Sequence, residues 1–319
     1  MKIAINELEQ KHHHVIYSTL WLILLVVNIS RGFSQVDRNR AGIYFISDVQ
    51  SPLLPERIIL RPYRNEVARD SLFADIINRH PGNLFMLGDL TSKGSKEKAW
   101  VPLDKFLNSL KTISTDVYVI PGNHEYMCKS TIGMQMFKYR FKEEWLYGYF
   151  VNIDSIAIVM LNSNFNKLGK KELSGQLQWY RAEMDSLDSD PGIKAIIVCT
   201  HHAPYSNSKI VGSSKPVEDL IVPKFEKSQK SKLFISGHSH NLEYFSDNSG
   251  KHFIVIGGGG GIEQPLIPMA KRIHQDLLKQ DDKPLYFYLV IEKQGNCLKL
   301  IVRGFKKDFR FFQKEIGVL

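Results

Sequence analysis

Five short apolar runs in this chain each end on a residue of a kind that binds metal ions. Ile43-Tyr44-Phe45-Ile46 leads into Ser47-Asp48-Val49-Gln50, Leu84 to Leu87 into Gly88-Asp89, and Val117 to Ile120 into Pro121-Gly122-Asn123-His124-Glu125. Ala195 to Cys199 leads into Thr200-His201-His202-Ala203-Pro204, and Leu233 to Ile235 into Gly237-His238-Ser239-His240. Runs this short, rich in β-branched and aromatic residues, read as buried strands. Helical patterns lie between them. Ala68, Leu72, Phe73, Ile76 and Ile77 share one face, Ala99 to Leu110 suits a helix packed on the second strand, and Gly175 to Leu187 carries Leu177, Tyr180 and Met184 on one stripe. Alternating strands and helices predict an α/β chain whose sheets are covered by helices. Ligands of such sheets bind beyond the carboxyl ends of the strands, so the five ends would converge on one pocket.

Further strands are expected at Leu146 to Ile153 and Ser155 to Leu161, turning at Asp154, and at Phe253 to Ile256. Leu285 to Ile291 and Leu298 to Val302 read as a β-hairpin about Lys293-Gln294-Gly295-Asn296. No internal repeat, Pro-rich linker or low-complexity stretch divides the chain, which reads as one domain over 35–319. Ahead of it, Lys2 and Lys11 precede an apolar run from Val15 to Ile29, shorter than the roughly 20 residues that span a bilayer. Gly32-Phe33-Ser34 supplies small residues where a signal peptidase cuts, so 1–34 reads as a cleaved signal peptide, or as an uncleaved anchor. Either way the domain is exported: periplasmic, extracellular or anchored facing outward. His12 to His14 fall in this leader and have no ordered scaffold to hold a metal.

The net charge of +9 favours anionic partners in general, but its basic residues are scattered among acidic ones and form no nucleic-acid-binding arm. Cys128, Cys199 and Cys297 have no C-x-x-C spacing, and Cys199 sits in a Val/Ile run as a small buried apolar residue. Carboxylate, amide and imidazole ligands together suit borderline to hard metal ions.

The order Asp48, Gly88-Asp89, Gly122-Asn123-His124-Glu125, His202-x-Pro204 and Gly237-His238-x-His240 resembles the calcineurin-like metallophosphoesterase superfamily, including the purple acid phosphatases. The resemblance implies a four-layer α/β/β/α sandwich, with two packed mixed sheets flanked by helices. It implies two divalent or trivalent metal ions, Mn, Fe or Zn, with Asp89 bridging them. Asn123, His202 and His238 would complete one site, and Asp48 and His240 belong to the other. His124 would stabilise the transition state and protonate the leaving oxygen, with Glu125 orienting it. The spacing to Pro204 selects His202 over His201, which would stand behind it.

Two departures bear on the chemistry. The family has His or Gly two residues after the first Asp, where this chain has Gln50, whose amide oxygen is a candidate fourth ligand. Purple acid phosphatases place Tyr three residues after the second Asp; here stands Ser92, so no purple ferric centre is expected. The expected activity is hydrolysis of phosphomonoesters or phosphodiesters, on a small-molecule or macromolecular phosphorylated substrate. The alternative is a non-catalytic metal- or phosphate-binding protein with a weakened first metal site. A membrane partner enters only if the leader is retained. His80 and His274 read as solvated surface histidines, and His252 as one without partners. Gly257 to Gly261 lacks the lysine and helix start of a phosphate loop and reads as a turn passing near the metals.

Overall fold

The computed structural model describes residues 42–60, 64–279 and 283–319. The expected signal peptide or anchor and His12 to His14 lie outside the described residues. Among the described residues, no helix is long and apolar enough to cross a membrane.

Among the described residues, twelve strands form two six-stranded mixed sheets. In the first, β1 (Ile43–Ile46), β2 (Asn83–Met86) and β3 (Asp116–Val119) run parallel. An antiparallel meander extends it: β10 (Tyr286–Gln294) pairs with β1, β11 (Cys297–Phe305) with β10, and β12 (Phe311–Val318) with β11. In the second, β5 (Ile156–Leu161), β6 (Ala195–Thr200), β7 (Ser231–Ser236) and β9 (His252–Ile256) are parallel. Antiparallel β4 (Tyr149–Ile153) and β8 (Leu242–Ser246) close its two edges.

The pleat sorts side chains into three cores. Ile43 and Phe45 point to the cluster between the sheets, where they meet Ile197, Ile235 and Ile254. Their neighbours Tyr44 and Ile46 point the other way, onto α2 (Asn65–Asn78) and α3 (Glu97–Thr112), through Leu72, Ile76, Trp100 and Leu103. The far face of the second sheet carries Val159, Val198 and Phe234 against α5 (Lys170–Ser189), α6 (Lys215–Leu220) and α7 (Val222–Lys227). Helix, sheet, sheet, helix: this is the four-layer sandwich. Strands buried on both faces explain why their sequences run apolar without alternation.

The Lys293–Asn296 hairpin forms with β10 and β11 paired from Tyr286 to Gln294. Four elements have no clear pattern in the sequence: β8, β12, and the helices α1 (Leu54–Leu60) and α4 (Ser130–Arg140). β12 alternates exposed and half-buried residues at a sheet edge, and α1 buries no side chain, so neither has an apolar signature to read. Cys199 is buried as expected, and all three cysteines are free thiols.

Candidate metal centre

Parallel pairing brings the carboxyl ends of β1, β2 and β3 to one edge, and those of β5, β6, β7 and β9 to the facing edge. Backbone bonds hold each edge, and those of Gly259 and Gly261 join the two. Asp48 N donates to Gly88 O (3.1 Å), Gly237 N to His201 O (2.9 Å), and Gly259 and Gly261 N to Ser47 and Asp48 O (3.0 and 2.9 Å). Glycine is required where this packing is tightest. A Cβ on Gly122 would stand 2.2 Å from Asp89 Oδ1, and one on Gly237 would stand 2.4 Å from Asp48 Oδ2.

The buried carboxylates are held by backbone N–H groups. His238 N donates to both oxygens of Asp48 (2.9 and 3.1 Å), and His124 N donates to Asp89 Oδ1 (2.8 Å). The imidazoles converge on them. His240 Nε2 lies 3.3 Å from Asp48 Oδ1, and His201 Nε2 lies 3.4 Å from Asp89 Oδ2 and 3.1 Å from Asn123 Oδ1. Ligand atoms of Asp48, Asp89 and His201 lie within 4.8 Å of one another, as do those of His201, His202 and His238.

Tautomers follow from the outer ring nitrogens. Nδ1 of His201 donates to Leu87 O (2.8 Å), that of His240 to Ile262 O (2.7 Å), and that of His124 to Ser92 O (2.8 Å). Each bond commits Nδ1 and turns Nε2 inward, the arrangement in which metal-bound histidines are oriented. Lone pairs of His201, Asn123 and Asp89 then face one another, and only a cation or a proton among them relieves the repulsion. With no metal, the proton goes to His201. Burial opposes its charge, but Asp89 and Asp48 raise its pKa to about 9. Burial likewise opposes charge on Asp89, and His201 and His124 hold that carboxyl well below its ordinary value. Burial and the neighbouring His201 lower His202 to about 3. The donor set fits a hard or borderline cation.

Gln50 belongs to the cluster. With its amide turned so that every group is satisfied, its nitrogen donates to Asp48 O (3.1 Å) and Asp89 O (3.0 Å). Its oxygen then accepts from His240 Nε2 at 3.2 Å, the proton there being the one that a bound cation would displace. That oxygen is available as a ligand beside Asp48 and His240.

The two adjacent histidines divide differently from the sequence expectation. His201 is fully buried and meets Asp89 and Asn123 directly, rather than standing behind its neighbour. His202 Nδ1 pairs with Ser163 Oγ (2.8 Å), and its ring stands 4.5 Å from that of His238. Both reach the centre. Glu125 also differs, since its described hydrogen bonds do not go to His124. Its carboxylate accepts from the N–H groups of Leu90 (2.8 Å), Thr91 (3.1 Å), Asp89 (3.0 Å) and Gly122 (2.6 Å), and so clamps the loop that carries Asp89. His124 itself faces the cluster with Nε2, 3.8 Å from Asp89 Oδ2.

Ser163 was not singled out in the sequence. The polar trio Asn162-Ser163-Asn164 at the end of β5 was the available signal, a sixth apolar run that ends on hydrogen-bonding residues. Asn164 Nδ2 donates to Pro121 O (3.0 Å), which ties this loop to the one carrying Asn123. The Gly257–Gly261 turn does pass the cluster, since a Cβ on Gly261 would meet the His240 ring at 2.6 Å. His252 and His274 are not free of partners. His252 Nδ1 pairs with Tyr244 Oη (2.9 Å), and His274 Nε2 with Ser213 Oγ (3.1 Å), while His80 is exposed as expected.

The family model described as calcineurin-like phosphoesterase matches residues 42–242. Families of this kind typically bind two metal ions. No curated protein matches the sequence. Among the solved structures that share the fold are the following three. A purple acid phosphatase from yellow lupin (Lupinus luteus) seeds superposes with a TM-score of 0.62 at 14% identity, over 87% of this chain and 53% of its own. A dimetal phosphatase from Danio rerio gives 0.55 at 16% identity, over 88% and 100%. GAP50, the anchor in the inner membrane complex of Plasmodium, gives 0.58 at 14% identity, over 88% and 90%.

Proposed function

We propose, from the premise that the chain belongs to the calcineurin-like phosphoesterase family, that it is a metal-dependent hydrolase of phosphomonoesters or phosphodiesters acting outside the cytoplasm. The observation that carries this reading is the convergence of ligand atoms from Asp48, Asp89, Asn123, His201 and His240. The export half rests on the sequence of residues 1–34. We assign Asn123, His201, His202 and His238 to one side of the centre and Asp48, Gln50 and His240 to the other, with Asp89 shared. Two cations bound there supply Lewis-acid stabilisation of the phosphoryl oxygens and acidify water.

The protein's own part is orientation and proton transfer. Asp89 has Oδ1 fixed by the His124 N–H, which turns Oδ2 toward His201. His124 has Nδ1–H committed to Ser92 O, so Nε2 is the nitrogen that serves the substrate. When protonated, Nε2 donates to a phosphoryl oxygen and then to the leaving alkoxide, which would otherwise depart with a full negative charge. Burial of the surrounding carboxylates strengthens each of these interactions.

The test is hydrolysis of an aryl phosphate and a bis-aryl phosphate by purified protein supplied with Mn²⁺, Zn²⁺ or Fe. Asp89→Asn and Asn123→Ala should each lower kcat/KM by about 100-fold or more, beyond the usual cost of losing a supporting residue. Activity unchanged in both variants would refute the reading.

Gln50 favours a second reading, a non-catalytic metal- or phosphate-binding protein on the same fold. An amide is a weaker ligand than the imidazole usual at that position, and a structural neighbour is described as an anchor. On that reading the chain holds one metal or none and hydrolyses neither ester.

A further inference from the structure

The most exposed large apolar side chains among the described residues gather at the end of the molecule that holds the metal centre. Leu54, Ile58 and Ile59 on α1, with Met269 and Ile273 in the loop after β9, are each 72–76% exposed. Ile210, in the loop after β6, is 51% exposed. Topology puts all of them at the carboxyl ends of the strands, since α1 follows β1. Directly after α1 the chain returns to the centre, where Asn65 Nδ2 donates to Gly260 O and Gly261 O (2.9 and 3.0 Å). The loops after β6 and β9 lie side by side, with Lys209 N donating to Pro265 O (2.9 Å) and Ile267 N to Asn207 O (2.8 Å).

The loop after β9 is built inside out. Lys271, Ile273 and Leu277 face solvent, while the polar residues between them turn inward. Arg272 Nε donates to Ile267 O (3.2 Å), His274 accepts at its carbonyl from Asn207 Nδ2 (3.0 Å), and Asp276 Oδ1 accepts from Tyr244 N (3.2 Å). These bonds fix the loop, so its apolar side chains are held in water rather than left there by a loose segment. On α1 no side chain is buried at all. Scattered apolar residues on a surface are ordinary, but a group of them in one place marks a contact surface.

Charge identifies the partner. From Tyr205 to Lys215 and from Gln264 to Gln275 the two loops carry four cations and no carboxylate. Arg272 is turned inward and Lys215 pairs with Asp219, while Lys209 and Lys271 are exposed next to Ile210 and between Met269 and Ile273. Apolar side chains with lysines among them suit a bilayer that carries anionic headgroups. A protein or a second copy seated on this end would cover the metal centre, whereas a bilayer brings phosphate esters to it.

We propose that this end of the molecule docks on an anionic phospholipid bilayer and that the substrate is a phosphate ester of a membrane lipid. Hydrolysis adds water across the bond between phosphorus and the lipid oxygen, leaving the lipid alcohol in the bilayer and releasing the phosphate group to water. The substrate half rests on the phosphoesterase reading of the centre; the docking half does not.

The three cores are drawn wholly from residues 43–319, so protein lacking residues 1–34 keeps the fold and takes the apolar Val15 to Ile29 run out of the measurement. Co-sedimentation with phosphatidylcholine vesicles containing about one-quarter phosphatidylglycerol measures docking. Wild type should bind. Ile58→Gln/Ile59→Gln and Met269→Gln/Ile273→Gln should each weaken partitioning about tenfold or more, with Tm unchanged. Val318 is 55% exposed at the opposite end of the first sheet, paired with Lys299 near the β10–β11 turn, and Val318→Gln should leave binding within about twofold. In metal-loaded protein, both double variants should lower turnover of vesicle-borne phosphatidic acid or phosphatidylglycerol about tenfold relative to the matching aryl ester.

Wild type that ignores the vesicles, equal binding by wild type and both variants, or equal loss in Val318→Gln would overturn the docking surface. Self-association that the double variants abolish, in protein that ignores vesicles, would overturn it in favour of a second copy. Weakened binding with an unchanged ratio of lipid to aryl turnover would overturn the lipid substrate and uphold docking alone. Weakened binding by variants of a protein that hydrolyses nothing would refute the phosphoesterase reading, and the lipid substrate with it, while upholding docking.

Discussion

Asp48, Asp89, His238 and His240 have φ of 61°, 50°, 70° and 49°, in the left-handed region that residues with a Cβ seldom enter. Each such residue costs on the order of 1–3 kcal/mol and persists only where its surroundings hold it. Here the holders are identifiable. The carboxylate of Asp48 accepts the His238 N–H, and Glu125 accepts four N–H groups around Asp89. Burial and the charge of Asp89 push the Glu125 carboxyl up to about 7 despite those donors. Glu125→Gln replaces one acceptor oxygen with a donor and sets it against N–H groups. We expect metal affinity to fall by about 10–100-fold, the usual cost of losing a partner that orients a ligand. Titration of metal-free protein with Zn²⁺ measures it, and affinity within twofold of wild type would mean that the clamp does not orient Asp89. The ligand types were legible in the sequence because each follows an apolar strand and three of them, Asp89, Asn123 and His238, sit beside a glycine. The roles of Glu125 and His201 were not, because a backbone clamp and a choice between adjacent histidines depend on side-chain directions that spacing does not record.

At the scale of elements, the loops are tied by buried polar groups rather than by apolar packing. Glu243 on β8 accepts from Ser206 Oγ (2.6 Å) and Asn207 N (2.8 Å), which joins the β8 edge to the loop after His202. Burial raises its pKa above the ordinary 4.5, with the Ser206 and Asn207 bonds opposing. The folded state therefore binds this proton more tightly than the unfolded chain does. The corresponding stability is full below about pH 4.5 and is lost as pH rises through the folded value. Glu243→Gln removes this dependence, so its Tm should gain on wild type as pH is raised from 4.5 to 8. A constant Tm difference across that range would exclude the assignment. β8 escaped the sequence reading for a related reason: Glu243 breaks its apolar run, and only its partners show the carboxylate to be interior.

At the scale of the whole molecule, three cores hold four layers, and the cores position one edge of each sheet against the other. The apolar runs made this architecture readable, since strands buried on both faces carry their signal in composition as well as periodicity. What the runs leave unread is edge structure such as β12 and α1, which buries little. The central claim is that the facing edges hold a metal pair that hydrolyses phosphate esters. Metal content of the purified chain, measured by mass spectrometry alongside turnover of an aryl phosphate before and after chelation, tests it most directly. The account predicts two metal ions per chain, activity lost on chelation and restored by adding metal back. One metal or none, or turnover that survives complete removal of metal, would contradict it.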